Sequence, residues 1–468
     1  MTRLMLAAIA AMLALSVTIA PPTGAAEPLV FTGVSVPITD KEKREVRTAE
    51  TVIVDGRAHG IGYTTLLRSG DKVGSGVFGQ ILDNNGRPIK TPNGAPMISP
   101  ATDFSSLIEK DGRLYIVSHF EARPAAVYVT AVVKDGDKGE SRAVDTHPVD
   151  FSAFGGLWVP CAGSVTPWGT HLGSEENEPD ARKIEDTADI AKLDRYPKPM
   201  ALYFGYDAMD ASRKPSMSGF RKVFNPYNYG YITEVTISEA GRGRGVKHHA
   251  MGRFSHELAY VMPDLRTVYM SDDGTNVGLF RFVADEPGRL DAGSLYAARW
   301  RQLDAGNGGT ADLHWIDLGR ATAADVKALV DKRTTFSDIF ETAAIGDDNA
   351  CPAEFTASVA NGARECLRVK PGMALAASRL ETRRYAALKG ATVEFSKAEG
   401  LTFDPYRKRL YLALSQISSG MEDMTLKGRA SVRFDLASAN HVKIPYNACG
   451  GIYALDLDDD FVATSMQA

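Results

Sequence analysis

The sequence predicts an all-β fold, namely a β-propeller with helical insertions. The first observation behind this prediction is a unit that recurs along the chain, in which a turn signal and a basic residue precede a β-rich run that carries Tyr. The second is a series of further short strand-like segments, separated by Gly, Pro, Asp and Asn at irregular intervals. Many short strands between turn signals fit the blades of a propeller better than a sandwich or a parallel sheet.

Copies of the recurring unit span residues 111–118, 264–271 and 404–413. We interpret each copy as a hairpin strand that covers the neighbouring strand. We expect this unit to repeat around a closed ring. The other strand-like segments are residues 200–206, 277–283, 314–318 and 451–457.

Two segments of helical character interrupt the predicted strands. Residues 321–342 place apolar side chains at helical spacing, and residues 180–193 form a shorter and more polar stretch. We interpret both as insertions over one face of the ring, where loops often line or cover a site.

The N-terminal segment has the features of an export signal. Arg3 gives a short basic start, residues 4–20 form an almost unbroken apolar run, and residues 21–26 offer small residues for cleavage. A membrane anchor is the alternative, because the run approaches the ~20 residues that span a bilayer. The Ala-rich run favours a cleaved signal peptide over residues 1–26, which predicts one mature domain over residues 27–468 that is periplasmic or secreted and carries no membrane anchor.

The charge balance argues against nucleic acid as a partner. The formal net charge is −5 at pH 7, and cleavage of the signal removes Arg3 and no acidic residue. A surface that binds a phosphate backbone normally shows a basic stripe. The basic cluster at residues 242–249 is short, and a solvated loop explains it as well as a grip on an anionic substrate does.

The chain contains four cysteines. Cys351 and Cys366 lie close together after the second helical segment, and a disulfide between them is expected in an oxidising compartment. Cys161 and Cys449 then form either a second disulfide or two free thiols, and the count of cysteines alone favours the disulfide.

The segment around Cys161 has the highest concentration of candidate ligand-binding residues in the chain. Residues 159–170 are rich in small side chains, which let a ligand approach the backbone, and Glu175 and Glu176 follow shortly after them. A thiolate beside two carboxylates is a suitable ligand set for a transition metal.

Four motifs, taken in order, resemble the PhoX-type alkaline phosphatases, which are exported enzymes built on a β-propeller. The segment CAGSVTPWGTHLGSEEN at residues 161–177 resembles the signature of that family. The resemblance covers most of residues 30–457. The remaining motifs are GRFSHE at 252–257 with YMSDD at 269–273, KAEG at 397–400 and NACGGIY at 447–453.

The resemblance implies a phosphomonoesterase that uses ferric iron and calcium and acts on a small phosphate ester. It implies that Cys161 is an unpaired thiolate ligand of iron and that Lys397 contacts the phosphate. Ferric iron and calcium are hard cations that prefer carboxylate oxygens. The carboxylates implied as metal ligands are Glu175 or Glu176, Glu257, Asp273 or its neighbour Asp272, and Glu399.

The chain also departs from the family pattern. Lys397 stands where that pattern has Arg, so a point charge replaces a bidentate fork. The N-terminal segment lacks a twin-arginine pair, and after residues 451–457 the chain runs to Ala468, where the family pattern continues through a further strand region with an acidic ligand. Two other functions stay open: a non-catalytic propeller that binds a ligand or partner, and a calcium-dependent propeller lactonase, which needs no thiolate.

Overall fold

The structure, a computed structural model, describes residues 29–135, 140–347, 349–435 and 439–468. The predicted signal peptide over residues 1–26 lies outside these ranges. The chain divides into two compact units, Met1–Thr65 and Leu66–Ala468. The single mature domain over residues 27–468 stays a prediction.

The smaller unit contains a three-stranded antiparallel sheet, and strands are numbered here in chain order. It consists of β1 (Val30–Phe31), β2 (Thr51–Val54) and β3 (Arg57–Gly60), with β2 in the middle.

The larger unit begins with two four-stranded antiparallel sheets, in each of which consecutive strands pair. A short hairpin of β4 (Lys72–Val73) and β5 (Gly76–Val77) precedes them. The first sheet consists of β6 (Thr102–Lys110), β7 (Arg113–Phe120), β8 (Ala126–Asp135) and β9 (Glu140–Pro148). The second consists of β10 (Pro160–Val165), β11 (His171–Glu175), β12 (Ile232–Ile237) and β13 (Gly243–Lys247).

The third sheet has nine strands and is made of two meanders. The first meander consists of β14 (His256–Val261), β15 (Thr267–Asp272), β17 (Leu279–Glu286), β18 (Arg289–Asp304) and β19 (Thr310–Thr322). The second consists of β24 (Ala398–Asp404), β25 (Arg409–Leu414), β28 (Gly451–Leu457) and β29 (Ala463–Gln467). The two meanders join where β29 pairs with β19.

Short strands complete the larger unit. They are β16 (Thr275–Val277) paired with β23 (Phe395–Ser396), β20 (Phe340–Ala343) and β21 (Thr356–Ser358) on either side of β22 (Glu365–Val369), and β26 (Thr425–Leu426) paired with β27 (Arg429–Ala430).

One apolar core joins the two meanders of the nine-stranded sheet. Tyr269 from β15 and Trp300 from β18 belong to the same buried cluster as Leu412 from β25 and Tyr453 from β28. Trp300 and Tyr453 meet edge to face, with ring centroids 6.3 Å apart. Because aromatic rings bury large apolar areas, this cluster holds the meanders together.

Each four-stranded sheet is also a meander, so the larger unit has four meanders, and their first strands lie next to one another. β6 contacts β10, β10 contacts β14, and β14 contacts β24. The inner strands of propeller blades are arranged in this way, and the predicted all-β class is confirmed. Closure of the strands into a full ring stays a prediction.

The recurring unit of the sequence corresponds to the second strand of a meander. Its three copies fall on β7, β15 and β25 together with the turns before them. Asp264 shows how the turn signal works, because its carboxylate accepts hydrogen bonds from the backbone N–H groups of Arg266 and Thr267 at 3.0 and 2.9 Å. The Asp404 carboxylate accepts from the N–H groups of Tyr406 and Arg407 in the same way.

One strand prediction is wrong. Where the sequence predicts a strand over residues 200–206, the structure has a 3-10 helix, Lys198–Phe204. Pro197 precedes this helix and Pro199 lies in its first turn. Proline fixes φ in the helical range and cannot donate a hydrogen bond to a sheet, which explains the outcome. The segment 451–457 coincides with β28, 314–318 lies within β19, and 277–283 overlaps β16 and β17.

The predicted helical segments are confirmed, although each is shorter than predicted. In residues 180–193, Asp180 caps α1 (Ala181–Asp186) by accepting a hydrogen bond from the Lys183 N–H. In residues 321–342, Thr335 and Asp338 form a capping box at the start of α4 (Phe336–Ile339). The helices are α1 (Ala181–Asp186), α2 (Met217–Val223), α3 (Ala323–Asp331), α4 (Phe336–Ile339), α5 (Ala374–Leu380) and α6 (Thr382–Leu388). None of the helices in the described ranges has the length and apolar character that crossing a bilayer requires.

The cysteines pair in one of the two ways that the sequence left open. The Cys351–Cys366 disulfide is confirmed. The alternative Cys161–Cys449 disulfide is wrong, because both thiols are free. Cys161 lies in β10 beside acidic side chains, whereas Cys449 is exposed in the turn before β28.

Candidate metal centre

Two overlapping groups of candidate ligands converge at the first strands of the meanders. One group is Cys161, Glu176 and Glu257, and the other is Glu257, Asp273 and Glu399. Within each group, one ligand atom from each residue lies within 4.8 Å of the others. Glu257 belongs to both groups, so the five residues form one continuous centre.

The backbone places a candidate ligand at the same position in every first strand. Each of these residues is the second residue of its strand, and the strand pairing shifts register around it. Such irregularities re-aim a side chain away from the regular alternation and are common next to active sites. The residues are Asp103 in β6, Cys161 in β10, Glu257 in β14 and Glu399 in β24.

The residue that follows each second strand occupies another equivalent position. Its N–H donates a hydrogen bond to the carbonyl of the residue just before the first strand, for example from Glu176 to Val159 at 3.0 Å and from Asp273 to Ser255 at 2.9 Å. The other two residues at this position are Glu121 and Ser415, which donate to Ala101 and Lys397. The Ser415 hydroxyl also donates to the Glu399 carboxylate at 2.7 Å.

Cys161 and Lys397 lie at the two ends of the centre. The Cys161 Sγ atom is 3.5 Å from Glu257 Oε1 and 4.0 Å from Asp103 Oδ2. The Lys397 Nζ atom is 2.7 Å from Asp273 Oδ2 and 3.2 Å from Glu399 Oε1. The centre therefore combines a thiol, several carboxylates and one ammonium group.

The electrostatics of the centre favour a bound cation. Burial and then the neighbouring carboxylates raise the pKa of Glu176 and of Glu257 to about 8. Burial followed by the charges of Glu257 and Glu176 also raises the pKa of the Cys161 thiol. Like charges withdrawn from water either take up protons or require a positive ion between them. Asp273 Oδ1 is buried without a hydrogen-bond partner among the described residues, as expected of an oxygen that serves a metal ion.

Glu175 and Asp272, both implied as ligands by the resemblance, lie in neither group. Glu175 is fully buried and pairs with the buried Lys247, at 2.7 Å between Oε1 and Nζ. Asp272 accepts two hydrogen bonds from Arg383, at 2.6 and 2.7 Å. Their role as ligands stays a prediction, and these ion pairs give both carboxylates a structural task instead.

Two other residues of the 161–177 motif hold the β10–β11 hairpin. Trp168 Nε1 and the Thr170 hydroxyl both donate to Glu234 Oε1 in β12, at 2.9 and 2.5 Å. His248 contacts the other carboxylate oxygen of Glu234 at 2.8 Å. Burial alone would raise the pKa of Glu234, but the hydrogen bonds from His248, Thr170 and Trp168 outweigh it and lower the pKa to about 2. Since Lys247 forms an ion pair with Glu175 and His248 contacts Glu234, the basic cluster at residues 242–249 contacts acids within the fold.

A buried histidine pair supports the backbone of Cys161. His119 Nε2 donates to the Cys161 carbonyl, which leaves His119 Nδ1 to accept from His171 Nε2 at 3.2 Å. His171 Nδ1 then accepts from the Ser106 hydroxyl at 2.8 Å. Burial lowers the pKa of His119 to about 4, so the pair is neutral and each ring nitrogen has one defined role. This series of hydrogen bonds fixes the irregular segment of β10 that carries the thiol.

No motif in the sequence singled out Asp103, Glu121 or the two histidines. Asp103 and Glu121 occupy the same positions in the first meander as Cys161 and Glu176 do in the second. A comparison of the meanders could have found them, but the turns between strands differ in length, so no fixed spacing marks the position.

Residues 129–465 match the model of the family described as alkaline phosphatase PhoX. Among solved structures, the chain is similar to Pseudomonas fluorescens PhoX in complex with vanadate, a transition state analogue. That match has 18% sequence identity and a TM-score of 0.50, and covers 86% of this chain and 71% of the other. At this identity the similarity shows the fold.

Two further structures match with much lower TM-scores. They are described as 6-phosphogluconolactonases, from Bacteroides fragilis with 11% identity and a TM-score of 0.23, and from Bacteroides uniformis with 13% identity and a TM-score of 0.21. Each match covers 76% of this chain, with 88% and 90% of the other chains covered respectively. Neither superposes well enough to support an argument. No curated protein matches the sequence.

Proposed function

Because the chain belongs to the alkaline phosphatase PhoX family, we propose that it is an exported, metal-dependent phosphomonoesterase that releases inorganic phosphate from small phosphate esters. The observation that carries the proposal is the pair of ligand groups that share Glu257 and lie beside the Lys397 ammonium. Phosphoryl transfer needs concentrated positive charge and accurate positioning more than covalent help from the protein.

The two ligand groups differ in the metal that suits them. Glu257, Asp273 and Glu399 offer only oxygen atoms, which suit calcium. Cys161, Glu176 and Glu257 add a thiol to two carboxylates, which suits ferric iron. When bound there, the ions supply Lewis acidity toward the phosphoryl oxygens and toward the attacking oxygen. The Cys161 thiol also separates this proposal from a calcium-dependent lactonase.

Lys397 is the cationic side chain that we expect to contact the phosphate. Burial alone would lower its pKa, but Asp273 and then Glu399 raise the pKa of Lys397, so it stays protonated at alkaline pH. Asp273 and Glu399 are also candidate metal ligands, and with a cation held there they would pair less with the Lys397 ammonium group. Lys397 would then face the anionic substrate and hold it as a point charge.

Export agrees with the chemistry of the cysteines. The disulfide between Cys351 and Cys366 is of the kind that forms and persists in oxidising compartments. Together with the predicted signal peptide over residues 1–26, it supports a periplasmic or secreted location.

The proposal is tested on the mature protein purified from the compartment to which it is exported. Elemental analysis is expected to find iron and calcium. The absorption spectrum is expected to show a thiolate-to-iron band, which Cys161→Ser should abolish. The same preparation should hydrolyse p-nitrophenyl phosphate with an alkaline optimum and lose activity when calcium is chelated. Iron-free protein with full activity would exclude the iron assignment, and metal-loaded protein that hydrolyses no phosphomonoester would exclude the function.

A further inference from the structure

A cavity of about 840 Å³ opens next to the metal centre. Asp273 lies in its wall, so the cavity is continuous with the ligand group that contains this residue. Its volume falls in the range of pockets that hold small organic molecules and exceeds what one phosphate ion requires. The cavity is therefore placed to receive the alcohol part of a phosphate ester.

Arg123 is the unusual residue in the wall of this cavity. Its guanidinium carbon lies 4.9 Å from the ring centroid of Trp158 and 5.0 Å from that of Tyr196. Two aromatic rings thus fix the position of the side chain. Within the described ranges no hydrogen bond or ion pair engages the guanidinium group, and its Nε atom is buried without a partner.

An unpaired, partly buried guanidinium is costly to the folded protein. It carries five N–H donors in a planar fork that matches the two oxygens of a carboxylate or phosphate. Buried donors without acceptors lose their hydration, and the two aromatic rings replace only part of it. An anion that enters the cavity would remove this cost.

The other charged residues of the cavity leave it open to an anion. Glu178 and Asp180 are already paired with Arg383 and Arg384. The remaining cations are Arg123, Lys183 and Lys192, and the remaining acids are Glu121, Asp194 and Asp273, of which Asp273 pairs with Lys397. Lys397 does not line the cavity, so Arg123 serves a different part of the substrate from the phosphoryl group that Lys397 faces.

We propose that Arg123 binds a second anionic group, on the alcohol side of the substrate. The preferred substrates are then phosphomonoesters whose alcohol carries another oxyanion, such as a carboxylate. This inference rests on the proposed phosphomonoesterase function, and it adds a specificity-determining residue and a substrate class to it.

The test compares two substrates that differ in this group alone. Glycerol 3-phosphate and 3-phosphoglycerate have similar leaving oxygens, but the second carries a carboxylate at its far end. The wild-type enzyme is expected to favour 3-phosphoglycerate by about tenfold in kcat/KM, the lower end of what one charge-assisted contact provides. Arg123→Gln should remove the preference, chiefly through KM, and Arg123→Lys should retain part of it because the fork is lost but the charge remains.

Arg195 offers a matched control. Its guanidinium carbon also lies near the Tyr196 ring, at 5.1 Å, but the residue does not line the cavity. Arg195→Gln removes the same charge at the same aromatic ring and should leave the substrate preference unchanged. A wild-type enzyme without preference, or an Arg123→Gln variant that loses both substrates equally, would overturn the proposal.

A binding experiment separates this inference from the proposed function. Isothermal titration calorimetry of metal-loaded protein with the non-hydrolysable methylenephosphonate analogue of each compound does not depend on turnover. Tighter binding of the 3-phosphoglycerate analogue than of the glycerol 3-phosphate analogue, abolished by Arg123→Gln, would support the role of Arg123 even if the protein hydrolysed neither substrate. Equal binding of the two compounds by a protein that hydrolyses p-nitrophenyl phosphate would overturn the role of Arg123 and leave the phosphatase function standing.

Discussion

In each of two pairs of adjacent acids, one acid forms a buried ion pair and the other belongs to the candidate metal centre. Glu175 is the last residue of β11 and Asp272 the last of β15, and both form buried ion pairs with basic residues. Glu176 and Asp273, one residue later, lie in the candidate metal centre. Successive residues of an extended chain point to opposite sides, so one side chain of each pair faces the core and the next faces the centre. Spacing along the sequence could not assign these sides, because both acids of a pair fit the same motif.

Substitution of the first pair separates the two tasks. Glu176→Gln should lower the iron content of the purified protein and leave its thermal stability in the metal-free form unchanged or higher, because it removes one of several crowded charges. Glu175→Gln should keep the metal content but destabilise the fold by about 3 kcal/mol, since it leaves the buried Lys247 ammonium unpaired. Elemental analysis and chemical unfolding decide the matter. Loss of metal from the Glu175 variant alone would reverse the assignment.

Lys397 tests the contribution of a single charge to the reaction. Lys397→Met keeps the aliphatic stem and should cost about 2 kcal/mol or more of transition-state stabilisation in kcat/KM for p-nitrophenyl phosphate. Lys397→Arg should preserve or raise the rate, because a guanidinium group can contact two phosphate oxygens.

The control for Lys397 is Lys408, which lies in the turn between β24 and β25. Lys408 forms a surface ion pair with Asp459. Lys408→Met should leave the kinetics unchanged. Metal content must be equal in all variants, because Lys397 also contacts two candidate ligands. Wild-type kinetics in Lys397→Met with full metal content would exclude a role for this residue.

At the scale of single elements, the β10–β11 hairpin is joined to β12 through Glu234. Its carboxylate receives hydrogen bonds from Trp168 and Thr170 in the turn of the hairpin and contacts His248 just after β13. Cys161 is the second residue of the hairpin, and Glu176 directly follows its last residue. Glu234 therefore holds an element that positions two members of the centre while lying outside the centre itself.

Glu234 gives the fold a pH dependence of defined sign. Its pKa is lowered to about 2 in the folded protein, from the ordinary value of 4.5. A carboxyl group with a lowered pKa stabilises the fold above its unfolded-state pKa, and this contribution is lost as the pH falls from about 4.5 toward 2. Glu234→Gln should thus reduce the free energy of unfolding by about 3 kcal/mol at neutral pH and flatten its decline in that acidic range. Urea unfolding at a series of pH values measures both. A variant with the same acid dependence as the wild type would contradict this role.

The strands show how far the sequence could predict this fold. The recurring unit marked β7, β15 and β25 correctly because its turns depend on local chemistry, such as the Asp264 carboxylate that caps its own turn. The irregular pairing around Asp103, Cys161, Glu257 and Glu399 lies within hairpins of consecutive strands, but no alternation of polar and apolar residues marks where the register shifts. Helices α5 and α6 were missed for a similar reason. They are buried on several sides, so their apolar spacing is not that of a surface helix.

At the scale of the whole molecule, three meanders contribute the five side chains of one acidic centre, and Asp103 from the first meander lies 4.0 Å from the Cys161 Sγ atom. No single sheet could hold the site, and the fold brings carboxylates together that would repel one another in the absence of a cation. The packing of the sheets and the binding of metal are therefore coupled. The core that joins Trp300 to Tyr453 has to offset this repulsion in the metal-free protein.

This coupling predicts how the stability of the metal-free protein varies with pH. The pKa of Glu176 and of Glu257 is raised to about 8, above the ordinary value of 4.5. A carboxyl group with a raised pKa makes the folded state bind protons more tightly than the unfolded state, so stability falls as the pH rises from about 4.5 to about 8. Because the two neighbouring groups do not titrate independently, the combined loss is on the order of 5 kcal/mol. Metal binding replaces the protons and should remove the loss.

Differential scanning calorimetry of metal-loaded and chelator-treated protein checks the prediction. The difference in Tm between the two forms should be small near pH 6 and larger near pH 9, and calcium added to the metal-free protein near pH 7 should release protons. Glu257→Gln, which removes the carboxylate shared by both ligand groups, should abolish most of the difference, whereas Glu234→Gln should leave it intact. A metal-loaded protein that loses stability with rising pH as steeply as the metal-free form would show that the carboxylates of this centre do not hold the ions. The alkaline optimum expected of the enzyme would then need another origin, since we attribute it to carboxylates that must lose their protons before the metal centre can assemble.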